Sequence, residues 1–140
     1  MKIDGVMSLI INHADGTESH IEKHNMIVDG GFDLICGALG NTTRPAILNK
    51  VMVGTGTVET TSAMTALEAK LAEVEATYFH NAGTKVFLIS GHFAAGSAVG
   101  AITEAGVFNS DDTMFDRVTF STTNISADDE ITVNFQFTLS

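Results

Sequence analysis

The C-terminal segment alternates strictly between apolar and polar side chains. Apolar residues stand at every second position, and threonine, asparagine or glutamine separates them: Ile131, Val133, Phe135, Phe137 and Leu139. A period of two residues is typical of a β-strand that buries one face. Such a strand needs neighbours on both sides, so the end of the chain already predicts a β-sheet core rather than a helical bundle.

Turn residues divide the rest of the chain into further β segments. Asp15-Gly16 is a strong hairpin signal, Asn81 to Gly83 is a polar turn, and Gly54-Thr55-Gly56 is a tight glycine corner. The strands expected around these turns are 6–12 with 17–23, 47–53, and 77–80 with 85–93. We therefore predict a mainly β fold built from antiparallel hairpins.

Two segments have helical spacing instead. Phe32, Ile35, Cys36 and Leu39 recur at i, i+3, i+4 and i+7, which predicts a short helix with these side chains buried. Asp29 is expected to cap it. The sulfur of Cys36, the only cysteine, would then be buried and inert.

The second helical pattern lies in the segment 61–74. It is formed by Met64, Leu67, Leu71 and Val74, and it favours another short helix.

Length and patterning together predict the fold class. A chain of 140 residues suits a single domain, and we expect residues 1–140 to form an antiparallel β-sandwich with one or two short helices. Residues 1–25 are expected either to form an N-terminal hairpin of the domain or to extend from it as an assembly arm.

Charge and composition narrow the class of partner. The formal net charge is −10, and the seven basic residues are scattered, so a nucleic-acid partner is not expected. No apolar run long enough for a membrane span and no signal peptide is evident. Because only 17% of residues are charged, below the usual quarter, we expect a partner to cover some apolar surface.

No motif with catalytic spacing emerges from the chain. His20 and His24 lie four apart on an expected strand, too far apart to share a metal ion. Gly54-x-Gly56 lacks the third glycine of a dinucleotide site, and the acidic turns near 111 and 128 lack the ligand spacing of a calcium loop. We expect no enzyme activity, no cofactor and no metal.

Glu104 stands within an apolar strand, in Ile102-Thr103-Glu104-Ala105-Gly106-Val107-Phe108-Asn109. A buried carboxylate is costly unless it is paired. We expect Glu104 to accept backbone hydrogen bonds from the turn at Gly54 to Gly56 or to pair with Arg117. Gly106 would permit close approach of the backbone.

Several of these segments, taken in their order along the chain, resemble a domain found in tailed bacteriophages. It is the collar-proximal, N-terminal domain of tail fibre proteins, with free-standing relatives among virion accessory proteins. The matching segments span residues 47–140: Val53 to Gly56, Thr61 to Lys70, Val86 to Phe93, Glu104 to Asn109, Arg117 to Phe120 and Ile131 to Leu139. Within the motif, Gly54, Gly56, Glu104, Gly106, Phe108 and Arg117 are the expected structural residues.

The resemblance implies a non-enzymatic structural protein of the virion, made and folded in the host cytoplasm. It would dock on the particle as a tail, collar or fibre-attachment module, or alternatively as a capsid decoration protein that stabilises the head. The expected partners are other virion proteins and two further copies of the chain in a homotrimer, with Phe87 and Ile89 at the subunit contact. A glycan-binding module is a remoter alternative, because the chain has no tryptophan and one tyrosine, Tyr78.

Overall fold

A computed structural model describes all 140 residues, and it contains eight β-strands and one helix. In chain order the elements are β1 (Ile3–Asn12), β2 (Glu18–Ile27), α1 (Asp29–Gly40), β3 (Leu48–Gly54), β4 (Lys70–His80), β5 (Val86–Phe93), β6 (Gly100–Asn109), β7 (Met114–Ile125) and β8 (Glu130–Leu139). The mainly β, antiparallel prediction is confirmed, and so are the hairpins at Gly16 and Gly83, both of which have positive φ.

The strands form a closed barrel in the order β1-β2-β7-β6-β3-β4-β5-β8, and β8 pairs with β1. The prediction of a β-sandwich is therefore wrong. Closure arises because two strands change partner along their length. β2 pairs with β1 up to Asn25 and then with β7 at Met26 and Ile27, while β4 pairs with β3 up to Glu75 and with β5 from Ala76.

The inward faces of the strands fill the barrel with apolar side chains. On β8 the alternation predicted from the sequence is confirmed, since Ile131, Val133, Phe135 and Phe137 are all buried in one cluster. Phe115 meets Phe137 edge to face with ring centroids 5.2 Å apart, a favoured aromatic geometry. The interior is a packed core.

The N-terminal hairpin belongs to the barrel wall. β1 pairs with β2 on one side and with β8 along its whole length on the other. Met7 and Leu9 are fully buried in the core. Residues 3–27 are thus part of the fold in this structure, as the hairpin alternative expected.

Helix α1 packs across one end of the barrel, but the side of the helix that contacts the barrel is not the one predicted from the sequence. Gly31 and Gly37 are its buried residues, whereas Phe32, Cys36 and Leu39 are exposed. The reason is close backbone approach: a Cβ at Gly31 would lie 2.2 Å from the carbonyl oxygen of Phe115. The predicted burial is therefore wrong for Phe32, Cys36 and Leu39, whereas Ile35 is half-buried and packs against the core.

The predicted cap of α1 is also wrong. The N-cap residue is Val28, which has no side chain able to cap, and Asp29 is the first helical residue. The backbone N–H of Asp29 instead donates to the carbonyl of Ser62 at 2.8 Å. The tertiary contact takes the place of the local cap.

Residues 55–69 form an irregular segment that covers the outer face of β3, β6 and β7, so the helix predicted over 61–74 is wrong. Leu67 and Met64 pack on the outward side chains of the wall in a second apolar cluster with Val28, Met52, Phe108 and Met114. Leu71 and Val74 lie on strand β4 instead. We refer to residues 55–69 as the cover segment.

Candidate functional site: a buried ion pair and an exposed apolar end

Glu104 on β6 lies beneath the cover segment and is completely buried. Its Oε1 accepts hydrogen bonds from the N–H of Glu68 at 2.9 Å and from Nε of Arg117 at 2.9 Å. Its Oε2 accepts from the N–H groups of Gly56 at 2.7 Å and Ala69 at 2.8 Å. Both partners that the sequence offered as alternatives are therefore present, and two further donors were not foreseen.

Arg117 on β7 extends the same network along the first part of the cover segment. Its Nη1 donates to the carbonyl of Val58 at 2.7 Å and to Oγ1 of Thr60 at 3.0 Å. The Arg117 side chain is also completely buried, and Nη2 has no partner. Glu104 and Arg117 together hold both arms of the cover segment on the barrel.

The electrostatics explain why a carboxylate is stable in this position. Burial by itself would raise the pKa of Glu104, but the N–H groups of Ala69 and Glu68, then Arg117 and Gly56, lower the pKa below its ordinary value. Hydrogen bonds to the charged form favour that form. Glu104 is consequently an ionised, fully satisfied acceptor.

The glycines of the predicted motif make room for this network. A Cβ at Gly54 would lie 2.7 Å from Oε2 of Glu104, and one at Gly56 would lie 2.4 Å from the same atom. Gly106 allows β6 to approach the carbonyl of Asp116, and Phe108 packs in the second apolar cluster. The structure thus brings Gly54, Gly56, Glu104 and Arg117 together, with Gly106 and Phe108 beside them.

This arrangement is suited to fastening rather than to chemistry. All four donors to Glu104 come from the protein, and neither charged side chain has solvent-accessible surface. A general acid or base must reach the proton that it transfers. Glu104 has no free access of this kind, so the pair is a structural clamp.

A second candidate site was missed by sequence reasoning: an exposed apolar surface at the end of the barrel covered by α1. It surrounds a cavity of about 310 Å³ whose lining is almost entirely apolar, with contributions from α1, the segment 45–48, and three strands. Leu39 is 78% exposed, Ile47 is 74% exposed and Tyr78 is 58% exposed. We call this surface, with Phe32, the apolar end.

The predicted subunit contact divides between two environments. Ile89 is fully buried inside the barrel, so its assignment to a contact is wrong, because its strand turns that side chain into the core. Phe87 is half-buried, stacks on Phe137 with ring centroids 4.9 Å apart, and lines the cavity at the apolar end. The helical spacing of Phe32 and Leu39 is the sequence signal for this surface, although by itself it predicts a buried face.

A buried carboxyl group on β7 was also missed. Asp116 is fully buried; its Oδ1 accepts from the N–H of Val107 at 2.9 Å, and Nδ2 of Asn25 donates to Oδ2. Burial raises the pKa of Asp116 well above its ordinary value, and the hydrogen bond from Val107 opposes this only in part. Asn25 and Asp116 meet beside the pairing of β2 with β7, which has only two residue pairs.

Other kinds of site find little support in the geometry. No group of three histidine, cysteine, aspartate or glutamate side chains converges as metal ligands would. The single helix has twelve residues and is not of the length and apolarity that a membrane crossing requires. Comparison of the chain with family models, curated proteins and solved structures finds no significant match.

Proposed function

We propose that this chain is a non-enzymatic structural protein of a bacteriophage virion that self-associates and docks on the tail or collar. The observation that carries the proposal is the apolar end. Exposed apolar patches of this kind mark protein interaction sites. The resemblance of residues 47–140 to tail fibre N-terminal domains supports the virion assignment.

The shape of the apolar end suits contact between identical subunits. It carries projecting side chains, Phe32 and Leu39, beside a cavity lined by Leu34, Ala38 and Phe87. A ring of identical subunits requires complementary projections and recesses on each copy. The proposed assembly is a homotrimer in which the apolar end of each chain is covered.

The clamp contributes rigidity to this role. A docking surface built on fixed elements loses little conformational entropy on binding. Glu104 and Arg117 hold the cover segment on β3, β6 and β7, and the carbonyl of Ser62 in that segment accepts from the start of α1. The helix that presents the apolar end is thus tied to the barrel at its first residue.

The first test is the mass of the purified protein in solution by light scattering. The expected mass is three times the 14.8 kDa of the chain. Leu39→Asp should yield a monomer, because it places a charge in an apolar contact. Val99→Asp is the matched control, since Val99 is another exposed apolar residue, outside the apolar end. A wild-type monomer, or equal effects of both changes, would argue against self-association.

The second test is immunogold electron microscopy of the parent particle with an antibody against this chain. Label confined to the tail or neck is the expected result. Label over the whole head would instead identify a capsid decoration protein, and absence of label from the particle would overturn the virion role.

A further inference from the structure

A groove of about 460 Å³ lies on the outer wall of the barrel, on the strands β2, β1, β8, β5 and β4. This groove is separate from the apolar end and from the clamp, and neither proposed role uses it. Its volume is within the range of small-molecule binding sites, about 300–1,000 Å³. Its lining comes from outward-facing side chains in two rows that cross the strands.

The first row contains the apolar part of the groove. Strand register places Val6 next to Gln136, Gln136 next to Leu88, and Leu88 next to Phe79. Phe79 faces outward from the wall and is 55% exposed. A large ring with this much exposure, flanked by an aliphatic side chain, forms a flat apolar platform.

The second row consists of polar side chains, all uncharged except Glu22, which register places next to Ser8. Register places Ser8 next to Asn134, Asn134 next to Ser90, and Ser90 next to Thr77. The hydroxyl of Ser90 donates to Oδ1 of Asn134 at 2.6 Å, which orients the amide and leaves its NH₂ group unpaired within the chain. The amide of Gln136 in the first row makes no hydrogen bond within the chain and is exposed.

These groups match one class of ligand. Amides and hydroxyls offer both donors and acceptors, as needed to bind a molecule covered with hydroxyl groups. The rows span four strands, roughly 14 Å at the usual strand spacing, which accommodates a chain of a few sugar rings. An aromatic platform beside such groups suits the apolar face of a pyranose ring.

The charge of the groove argues against an anionic ligand. Glu22 is the only charged residue in the lining, no cationic side chain contributes, and the chain carries a net charge of −10. An anionic ligand such as a phosphate or an acidic glycan would therefore be repelled. The polar row also differs from the apolar centre expected of a protein interface.

We propose that this groove binds a neutral oligosaccharide, with Phe79 stacking on a sugar ring and Asn134 and Gln136 hydrogen-bonding its hydroxyl groups. The sequence has no tryptophan, which argues against glycan binding, but the exposed ring of Phe79 can supply the aromatic platform instead. The proposal does not depend on trimer formation or on the virion role.

The test is an NMR titration of the isotope-labelled full chain with four neutral series: α-glucan, β-glucan, mannan and chitin oligomers. At least one series is expected to produce saturable shifts of the side-chain NH₂ signals of Asn134 and Gln136. Phe79→Ala, and the double change Asn134→Ala with Gln136→Ala, should each weaken binding at least about tenfold, equivalent to about 1.4 kcal/mol.

The matched control is Phe32→Ala, which removes an exposed phenylalanine at the apolar end and should leave sugar binding unchanged. Each variant is checked for wild-type spectral dispersion elsewhere, so loss of binding is separated from loss of fold. No saturable shift with any of the four series would overturn the proposal. So would equal binding by Phe79→Ala, or a preference for sulfated or sialylated oligomers over neutral ones.

Discussion

Nε of Arg117 lies 2.9 Å from Oε1 of Glu104, and both side chains are completely buried although they come from different strands. The two residues are thirteen positions apart in the chain. They pin a fifteen-residue segment of irregular backbone to the barrel wall. A buried ion pair does not always add net stability, but removing one partner leaves an uncompensated buried charge. This asymmetry determines how the clamp responds to mutation.

Glu104→Gln is expected to destabilise the protein by about 3–5 kcal/mol, because Arg117 would remain buried without a counter-charge. The measurement is urea unfolding followed by circular dichroism. Glu75→Gln is the control, since Glu75 is an exposed glutamate on β4. A loss below about 1 kcal/mol, as for surface substitutions, would show that the clamp is not an important source of stability.

Acid should weaken the folded state partly through the same carboxylate. The pKa of Glu104 is lowered in the folded protein, so its contribution is present above the pKa of the unfolded chain, near pH 4.3, and is lost as pH falls through the folded value. Unfolding free energies measured from pH 7 to pH 3 should fall more steeply for the wild type than for Glu104→Gln. Parallel curves would assign the acid sensitivity to other groups.

The carboxyl of Asp116 should give a pH dependence opposite to that of Glu104, and Asp116→Asn should remove it. Burial raises the pKa of Asp116, so the folded state favours the neutral carboxyl, and stability declines as pH rises above the unfolded value near 3.9. The asparagine variant lacks this decline and should be at least as stable as the wild type at pH 7. A protonated Asp116 could donate to Oδ1 of Asn25, which has no partner, if that amide is turned over. If Asp116→Asn were destabilised relative to the wild type more at pH 7 than at pH 4, the result would contradict this account.

Gly31→Ala should cost about 1–3 kcal/mol or more, because its Cβ would meet the carbonyl oxygen of Phe115 at 2.2 Å. Gly40→Ala, at the last position of the same helix, meets nothing within 4 Å and should change stability by less than about 0.5 kcal/mol. Thermal unfolding of the two variants gives a direct comparison. Similar melting temperatures would mean that α1 does not rest on its glycine side.

In the Leu39→Asp variant, which is expected to be monomeric, Cys36 should react rapidly with a thiol reagent, since the structure exposes it on α1. The measurement compares the rate of modification by a disulfide reagent in buffer and in urea. Rates within a few-fold of each other are expected. Protection of the thiol in buffer would indicate burial, either in the chain or beneath a partner subunit at the apolar end, and mass measurement of the same sample distinguishes the two.

The buried acidic motif illustrates how far local reasoning reaches. A carboxylate in an apolar strand must find donors, and a glycine corner is the natural place for close approach, so Gly56 and Arg117 could be named from the sequence. The N–H groups of Glu68 and Ala69 could not, because they lie in a segment whose leucine and methionine spacing resembled a helix. Met64 and Leu67 pack on the outside of the barrel wall. The spacing of apolar residues cannot distinguish an irregular segment packed in this way from the buried face of a helix.

What the sequence alone determined is local: the period-two strands, the hairpins at Gly16 and Gly83, and the inward set on β8. These depend on residues only a few positions apart. Tertiary structure alone decided three things: that β2 and β4 change partner and close a barrel, that α1 packs on its glycine side, and that Phe32 and Leu39 remain exposed. Each depends on how closely distant backbone segments can approach, and a pattern of apolar residues carries no information about that distance.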